Sequence, residues 1–278
     1  MQYILYNKLA NNGKGEDSAK ELEAKIEGEK SLVNVCETKV SEWIDTLNAD
    51  DVIIICGGDG TLNRFANDIS GKEVPCDIVL IAAGTGNDFL RDIAENYDSA
   101  ERPSIKKYIQ NLPTVKVKDI ECKFINGIGF GVDGMCCEYA DKMKAEGKKK
   151  INYTTLSIRL MLFKYKCPHA VITIDDQKYE YKKAWLASAM NGRYYGGGMK
   201  AAPDQDRLGD TLTSVVFHDK GKIATLMAFP SIFKGEHVNK SVTTVVTGKK
   251  INVKFDAPIA LQIDGETVLG VTEYTAWK

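Results

Sequence analysis

Two stretches of the chain are apolar without alternating with polar residues. Val52-Ile53-Ile54-Ile55-Cys56 and Asp77-Ile78-Val79-Leu80-Ile81-Ala82 are aliphatic almost throughout. A strand with one wet face alternates, whereas an unbroken run suits a strand covered on both faces of a parallel sheet. Tyr3–Tyr6 and Ser31–Cys36 read as shorter strands. Glu16–Ile26, Val40–Leu47, Leu62–Ile69 and Asn87–Ile93 carry helical patterns between them. This alternation predicts an open α/β domain with a mostly parallel sheet.

After Pro113 the pattern changes. Val115–Lys118, Cys122–Ile125, Ala170–Ile174, Lys178–Lys182, Ala184–Met190, Leu212–Phe217, Ser241–Thr247, Ile251–Phe255, Ile259–Ile263 and Val268–Tyr274 read as strands, with turn residues between many of them. Two helical stretches, Met135–Lys150 and Tyr153–Tyr165, interrupt. The expectation is a β-rich, sandwich-like second domain. The division is placed at 1–117 and 118–278, with the last residues expected to pack back on the first domain.

The chain has 278 residues, with 37 basic against 38 acidic side chains and a net charge of −1. It therefore lacks the global basic field that nucleic-acid binding uses. No apolar run approaches the ~18 residues that span a bilayer. The first residues lack the basic n-region and small-residue cleavage site of a signal peptide. A cytoplasmic protein, at most peripheral to a membrane, is the expectation. The seven cysteines include no C-x-x-C pair and the three histidines are scattered. That spacing argues against zinc and for reduced, mostly buried thiols.

The chemistry concentrates in glycine clusters. Gly57-Gly58-Asp59-Gly60-Thr61 ends one apolar run and opens a helix. Loop N–H groups and a helix N-terminus together favour an anion such as phosphate. A tight turn with Thr61 as a cap is the plainer alternative, but a turn needs one or two glycines, not three. Asp59 beside a phosphate calls for Mg²⁺ between them. Ala83-Gly84-Thr85-Gly86-Asn87-Asp88-Phe89 repeats the situation at the next strand end, where Asn87 and Asp88 also suit helix capping. Consecutive βα units put both loops at the carboxyl edge of one sheet, so Asp59 and Asp88 are expected in one cleft. Gly127-Ile128-Gly129-Phe130-Gly131-Val132-Asp133-Gly134 fits G-x-G-x-x-G, yet it follows the α/β region and lacks the acidic residue a dinucleotide site needs. Asp133 is a further candidate carboxylate or a helix cap. No G-x-x-x-x-G-K-[ST] motif occurs, which excludes a P-loop NTPase.

Gly57 to Asn63 followed by Gly84-Thr85-Gly86-Asn87-Asp88-Phe89 resembles the diacylglycerol kinase catalytic family, which includes bacterial lipid kinases, sphingosine kinases and ceramide kinases. Ala189–Gly192 with Gly196–Met199, Ala202-Pro203 with Asp210, and Asp264-Gly265-Glu266 extend the resemblance over nearly the whole chain. It implies an ATP-holding α/β domain and a β-sandwich domain that holds the lipid headgroup and closes a cleft. Carried over, Asn7, Gly57, Gly58, Asp59, Gly60, Thr61, Leu62, Asn63, Gly84, Thr85 and Asn87 contact ATP. Asp59, Asp88 and Asp133 hold the catalytic Mg²⁺, partly through water. Glu266 is the general base, presented by an Asp264-Gly265 hairpin. Asp210 with the main-chain carbonyls of Arg207 and Leu212 resembles a second, structural Mg²⁺ site. Three positions depart from the family: Arg64 replaces a glutamate, the Asn7–Gly13 loop lacks a proline, and Gly209-Asp210 reverses the usual order.

The resemblance implies an ATP- and Mg²⁺-dependent lipid kinase, acting on diacylglycerol or a related lipid at the inner membrane face. A soluble small-molecule kinase like NAD kinase and a non-catalytic nucleotide-binding regulator are the alternatives. Ile158–Lys166, apolar with basic neighbours, and Phe229–Lys234 are candidate membrane contacts; a core helix is the alternative for the first. Family habit makes a homodimer an expectation.

Overall fold

A computed structural model describes residues 1–83, 87–94, 103–148 and 150–278, with only the backbone of Asn11 and Asn12. The chain divides into two compact units, Met1–Leu112 and Pro113–Lys278. The first contains β1 (Gln2–Tyr6), α1 (Ala10–Gly13), α2 (Gly15–Glu23), β2 (Lys30–Asn34), α3 (Val40–Trp43), β3 (Val52–Gly57), α4 (Asp59–Asp68), β4 (Asp77–Ala82), α5 (Asp88–Ala94) and α6 (Lys106–Ile109). Its four strands are parallel in the order β2-β1-β3-β4.

β3 is buried at every position after Val52, which accounts for its unbroken apolar run. Ile4, Tyr6, Ile54 and Cys56 pack with Ala19 of α2, while α4 turns Leu62, Phe65 and Ala66 inward. The single helix expected over Val40–Leu47 stops at Trp43 and tightens into a 3₁₀ turn, Ile44–Thr46. There the Thr46 hydroxyl donates to the Trp43 carbonyl (2.7 Å), a local bond that competes with helix continuation.

The second unit contains β5 (Thr114–Val117), β6 (Ile120–Lys123), β7 (Gly127–Gly131), α7 (Val132–Ala145), α8 (Tyr153–Phe163), β8 (Ala170–Ile174), β9 (Gln177–Tyr181), β10 (Ala184–Met190), β11 (Leu212–His218), α9 (Lys222–Ala228), β12 (Thr243–Gly248), β13 (Lys250–Ile263) and β14 (Glu266–Trp277). Its ten strands are antiparallel. Eight run in the order β12-β11-β10-β7-β13-β14-β5-β6, and β8 pairs with both β13 and β9. β5 pairs with β14, so Thr114–Val117 lies in this sheet.

Ile251–Phe255 and Ile259–Ile263, expected as two strands, form one strand, β13. Its register shifts between Lys254 and Ile259, around Pro258, which has no N–H to give a ladder. The first half of β13 pairs with β8 and the second with β7. One apolar cluster holds Phe124, Phe130, Phe255 and Tyr274, with Phe130 stacked on Phe255 at 4.0 Å. Another packs α7 and α8 against Trp185 and Phe217. Among the described residues no helix is long and apolar enough to cross a membrane.

Candidate functional site

In the first unit the chain leaves β1 toward β2 on one side and returns to β3 on the other. The carboxyl ends of β1 and β3 therefore flank the topological switch point, where open α/β sheets bind ligands. The loops that start there are Asn7–Gly13 and Gly57–Thr61, the second being one of the three glycine clusters singled out in the sequence.

α4 begins at Asp59, with Gly58 extended as its cap residue. The Gly58 carbonyl accepts from the N–H groups of Thr61 and Leu62, both at 3.1 Å. The N–H groups of Asp59 and Gly60, ahead of these two, have no intrahelical acceptor, and such groups favour an anion. A Cβ at Gly57 would lie 2.5 Å from Thr61 Oγ1, whereas one at Gly60 would meet nothing within 4 Å among the described residues. Gly57 thus closes the turn, and Gly60 leaves open space beside the helix end.

Asp59 joins the two loops. Its Oδ2 accepts from the Asp88 N–H (2.9 Å) and its Oδ1 from the Phe89 N–H (3.1 Å). One carboxylate therefore sits at the start of α4 and also satisfies two first-turn donors of α5, complementing both helix dipoles. Asp88 is buried, with Arg91 Nη1 at 3.8 Å from its Oδ1. Gly84 and Thr85 lie outside the described residues. Asn63 accepts the Asn67 side-chain amide through its carbonyl (3.0 Å) and its Oδ1 (3.2 Å), and Leu62 is buried.

Asn7 Oδ1 accepts from the Leu9 N–H (2.9 Å) and the Cys36 thiol (3.2 Å), so its side chain shapes its own loop. A Cβ at Gly15 would lie 1.9 Å from the Asn7 carbonyl oxygen. Arg64, the departure from the family, donates to the Val35 carbonyl at 3.1 Å and ties α4 to the segment after β2.

In the second unit the Gly127–Gly134 cluster is the strand β7 running straight into α7 at Val132. The glycines make room. A Cβ at Gly129 would lie 1.8 Å from Asp133 Oδ2, one at Gly127 2.7 Å from Met190 Sδ, and one at Gly134 1.9 Å from the Ala260 carbonyl oxygen. Asp133 accepts from Gln262 Nε2 at 3.2 Å. Protein packed around its carboxyl pushes the pKa up to about 6, partly offset by Gln262. The neighbouring Tyr195 hydroxyl is pushed well above its usual range, by burial first and the Asp133 charge second.

Glu266 is exposed at the first position of β14, across the hairpin from Ile263. Asp264 and Gly265 take positive φ, 47° and 93°, as a two-residue hairpin requires. The sequence did not reveal that the Asp264 carboxylate turns back to accept three N–H groups: Ile125 (2.5 Å), Asn126 (2.8 Å) and Gly127 (3.0 Å). It fixes the hairpin that presents Glu266 to the start of β7.

Arg207 is buried, and its guanidinium donates to the Ile125 carbonyl and to Asn126 Oδ1 (2.8 Å). The Arg207 carbonyl accepts from Lys278 Nζ at 2.6 Å, and Asp210 pairs with Lys249 at 2.6 Å. Burial, with the Arg207 charge, pulls Lys278 down to about 8, so it stays an ammonium at neutral pH. Within either unit, among the described residues, no three His, Cys, Asp or Glu side chains converge as a metal site.

Two family models match the chain: a diacylglycerol kinase catalytic domain over residues 2–118 and a YegS C-terminal NAD kinase beta sandwich-like domain over residues 126–275. "Putative lipid kinase YtlR" of Bacillus subtilis (strain 168) is 26% identical over 244 residues, 80% of this chain and 75% of the relative. "Putative lipid kinase SAR0780" of Staphylococcus aureus (strain MRSA252) is 25% identical over 255 residues, 87% of this chain and 79% of the relative. A solved structure described as "a putative diacylglycerol kinase from Bacillus anthracis str. Sterne" superposes with a TM-score of 0.70 at 22% identity, covering 100% of this chain and 92% of its own. That likeness shows a shared fold.

Proposed function

We propose, on the premise that the chain belongs to the family joining a diacylglycerol kinase catalytic domain to a YegS C-terminal NAD kinase beta sandwich-like domain, that it is a lipid kinase. In this reading it transfers the γ-phosphate of ATP to a lipid hydroxyl, of diacylglycerol or a relative, with Mg²⁺. The observation that carries the reading is the Asp59 joint. One carboxylate holds together the starts of α4 and α5, beside the sheet's switch point.

The first unit takes the nucleotide. First-turn N–H groups of α4 receive phosphate oxygens, and Gly58 and Gly60 let them approach the backbone. Thr61, Asn63 and Asn87 add polar side chains at the starts of α4 and α5, and the resemblance adds Gly84 and Thr85 to the nucleotide contacts. The carboxylates of Asp59, Asp88 and Asp133 are oxygen donors suited to a hard cation. Asp59 has used one lone pair on each oxygen and keeps two for bridging water. Bound Mg²⁺ supplies charge neutralisation for the phosphates.

The second unit takes the acceptor. Glu266, exposed on its pinned hairpin, accepts the lipid hydroxyl proton as that oxygen bonds to phosphorus and ADP departs. The lipid comes from a membrane surface. α8 buries Leu160 and Met161, while Phe163 at its end is 74% exposed; on α9, Ile223 and Met227 are 75% and 77% exposed. Lys222 Nζ donates to the Leu162 carbonyl (2.8 Å), joining the two helices. Arg159, Lys164 and Lys166 are exposed nearby in sequence. An apolar tip with basic neighbours suits an anionic bilayer. Phe229 and Ile232 of the second candidate segment are buried, leaving Phe233 partly exposed.

Glu266→Gln tests the assignment. It keeps the hairpin and removes the base, so kcat for lipid phosphorylation falls about a hundredfold or more while KM for ATP holds. An unchanged kcat contradicts the role.

A further inference from the structure

The loop from Gln205 to Leu212 is where the family resemblance implies a structural Mg²⁺. Several of its oxygen atoms are already committed. The Arg207 carbonyl accepts from Lys278 Nζ at 2.6 Å, and the same ammonium donates to Asn191 Oδ1 at 2.8 Å. The carbonyls of Asp206 and Thr211 both accept from the Gln205 side-chain amide at 2.9 Å. The Asp210 carboxylate pairs with Lys249, and its side chain is 71% exposed. Leu212 is the first residue of β11, in register with Gly248.

Mg²⁺ needs about six oxygens at roughly 2.0–2.1 Å in near-octahedral order. Here a divalent ion on the Arg207 carbonyl would meet the Lys278 ammonium on the same oxygen. An ammonium offers three donors of fixed valence, and two are used on these oxygens. The residues fit a cation carried by the chain and do not fit a free metal.

We propose that Lys278 is a tethered cation that takes the place of a divalent ion in the 205–212 loop and acts as a positioning residue for the start of β7. The connection runs through named bonds. Lys278 holds the Arg207 backbone and Asn191. The Arg207 guanidinium and the Asn191 amide both donate to the Ile125 carbonyl, and the Asn191 N–H donates to the Asn126 carbonyl at 2.9 Å. The N–H groups of Ile125, Asn126 and Gly127 are those that Asp264 accepts. The end of β14 is thereby linked to the strand that leads to Asp133 and to the hairpin that presents Glu266.

The test uses the full chain with four proteins: wild type, Lys278→Met, Lys278→Arg and Asp210→Asn. Thermal unfolding is followed in EDTA and in millimolar Mg²⁺, without nucleotide, and amide hydrogen exchange is read at residues 125–127. The expected result is no Mg²⁺-induced shift in wild type that Asp210→Asn removes. Lys278→Met melts about 5 °C lower and loses protection at 125–127, and Lys278→Arg restores much of both. A wild-type Tm that rises with Mg²⁺ and stops rising in Asp210→Asn would overturn the proposal, because the loop would then hold a metal. Unchanged melting and exchange in Lys278→Met would overturn it as well. The Asp210→Asn arm, at an exposed residue, decides the matter even if Lys278→Met does not fold.

Discussion

Gly134 and Gly60 sit in two glycine clusters that look alike in sequence and do different work. A Cβ at Gly134 would lie 1.9 Å from the Ala260 carbonyl oxygen, a backbone atom that cannot step aside. Gly134→Ala should cost about 3 kcal/mol in urea unfolding. A Cβ at Gly60 meets nothing among the described residues, so Gly60→Ala should change stability by less than about 0.5 kcal/mol. If phosphate lies against that backbone, the same substitution raises KM for ATP several-fold. An unchanged KM would remove Gly60 from the nucleotide site.

His237 carries a pH dependence. It is fully buried, stacked on Phe217 at 5.5 Å, with Nε2 2.9 Å from the Ala201 carbonyl oxygen and no partner for Nδ1 among the described residues. Burial lowers its pKa, so the folded state resists the proton that the unfolded state takes up below about pH 6.5. Stability therefore falls as pH drops through 6.5 and levels off below the folded pKa. His237→Gln should be less stable at neutral pH and lack that steepening. Equal slopes for both proteins between pH 7 and 5 would contradict this.

At the scale of elements, much was legible where apolar pattern and burial coincide. β3, β4, α4 and α5 fall close to where the unbroken runs and helical spacing put them. From its residues alone β7 was not legible as a strand. Three of its five residues are glycine, which has low β propensity, and the reason for them lies in Asp133, Gln262 and Met190, distant in sequence. α9 was also missed, because Lys222–Ala228 is only seven residues long and its exposed apolar face reads as no helical stripe. The candidate carboxylates were visible as residue types, but not the bonds of Asp59 to α5 or of Asp264 to β7. Those bonds make Asp59 a two-part test. Asp59→Ala strips two donors of α5 of their acceptor and should lower stability by about 2 kcal/mol. Asp59→Asn keeps a carbonyl oxygen for one of them, so it stays folded while turnover is lost. Turnover retained in folded Asp59→Asn would end its role at the nucleotide.

For the molecule as a whole, the change from strand–helix alternation to a run of strands marked two different architectures, and the structure contains them as a parallel sheet and an antiparallel one. Why the second unit leaves Phe163, Ile223 and Met227 in water was not legible, because exposure depends on which helix faces the sheet spares. The reading that unites these features is phosphoryl transfer from a nucleotide to a lipid. The most direct measurement is transfer of label from γ-labelled ATP to a panel of lipids in anionic vesicles, with and without Mg²⁺. Asp59→Asn and Glu266→Gln are run beside wild type. The account predicts label in one lipid class, dependent on Mg²⁺, lost in Asp59→Asn and cut about a hundredfold in Glu266→Gln. No label in any lipid from a folded protein that binds ATP, or equal label from both variants, would contradict it.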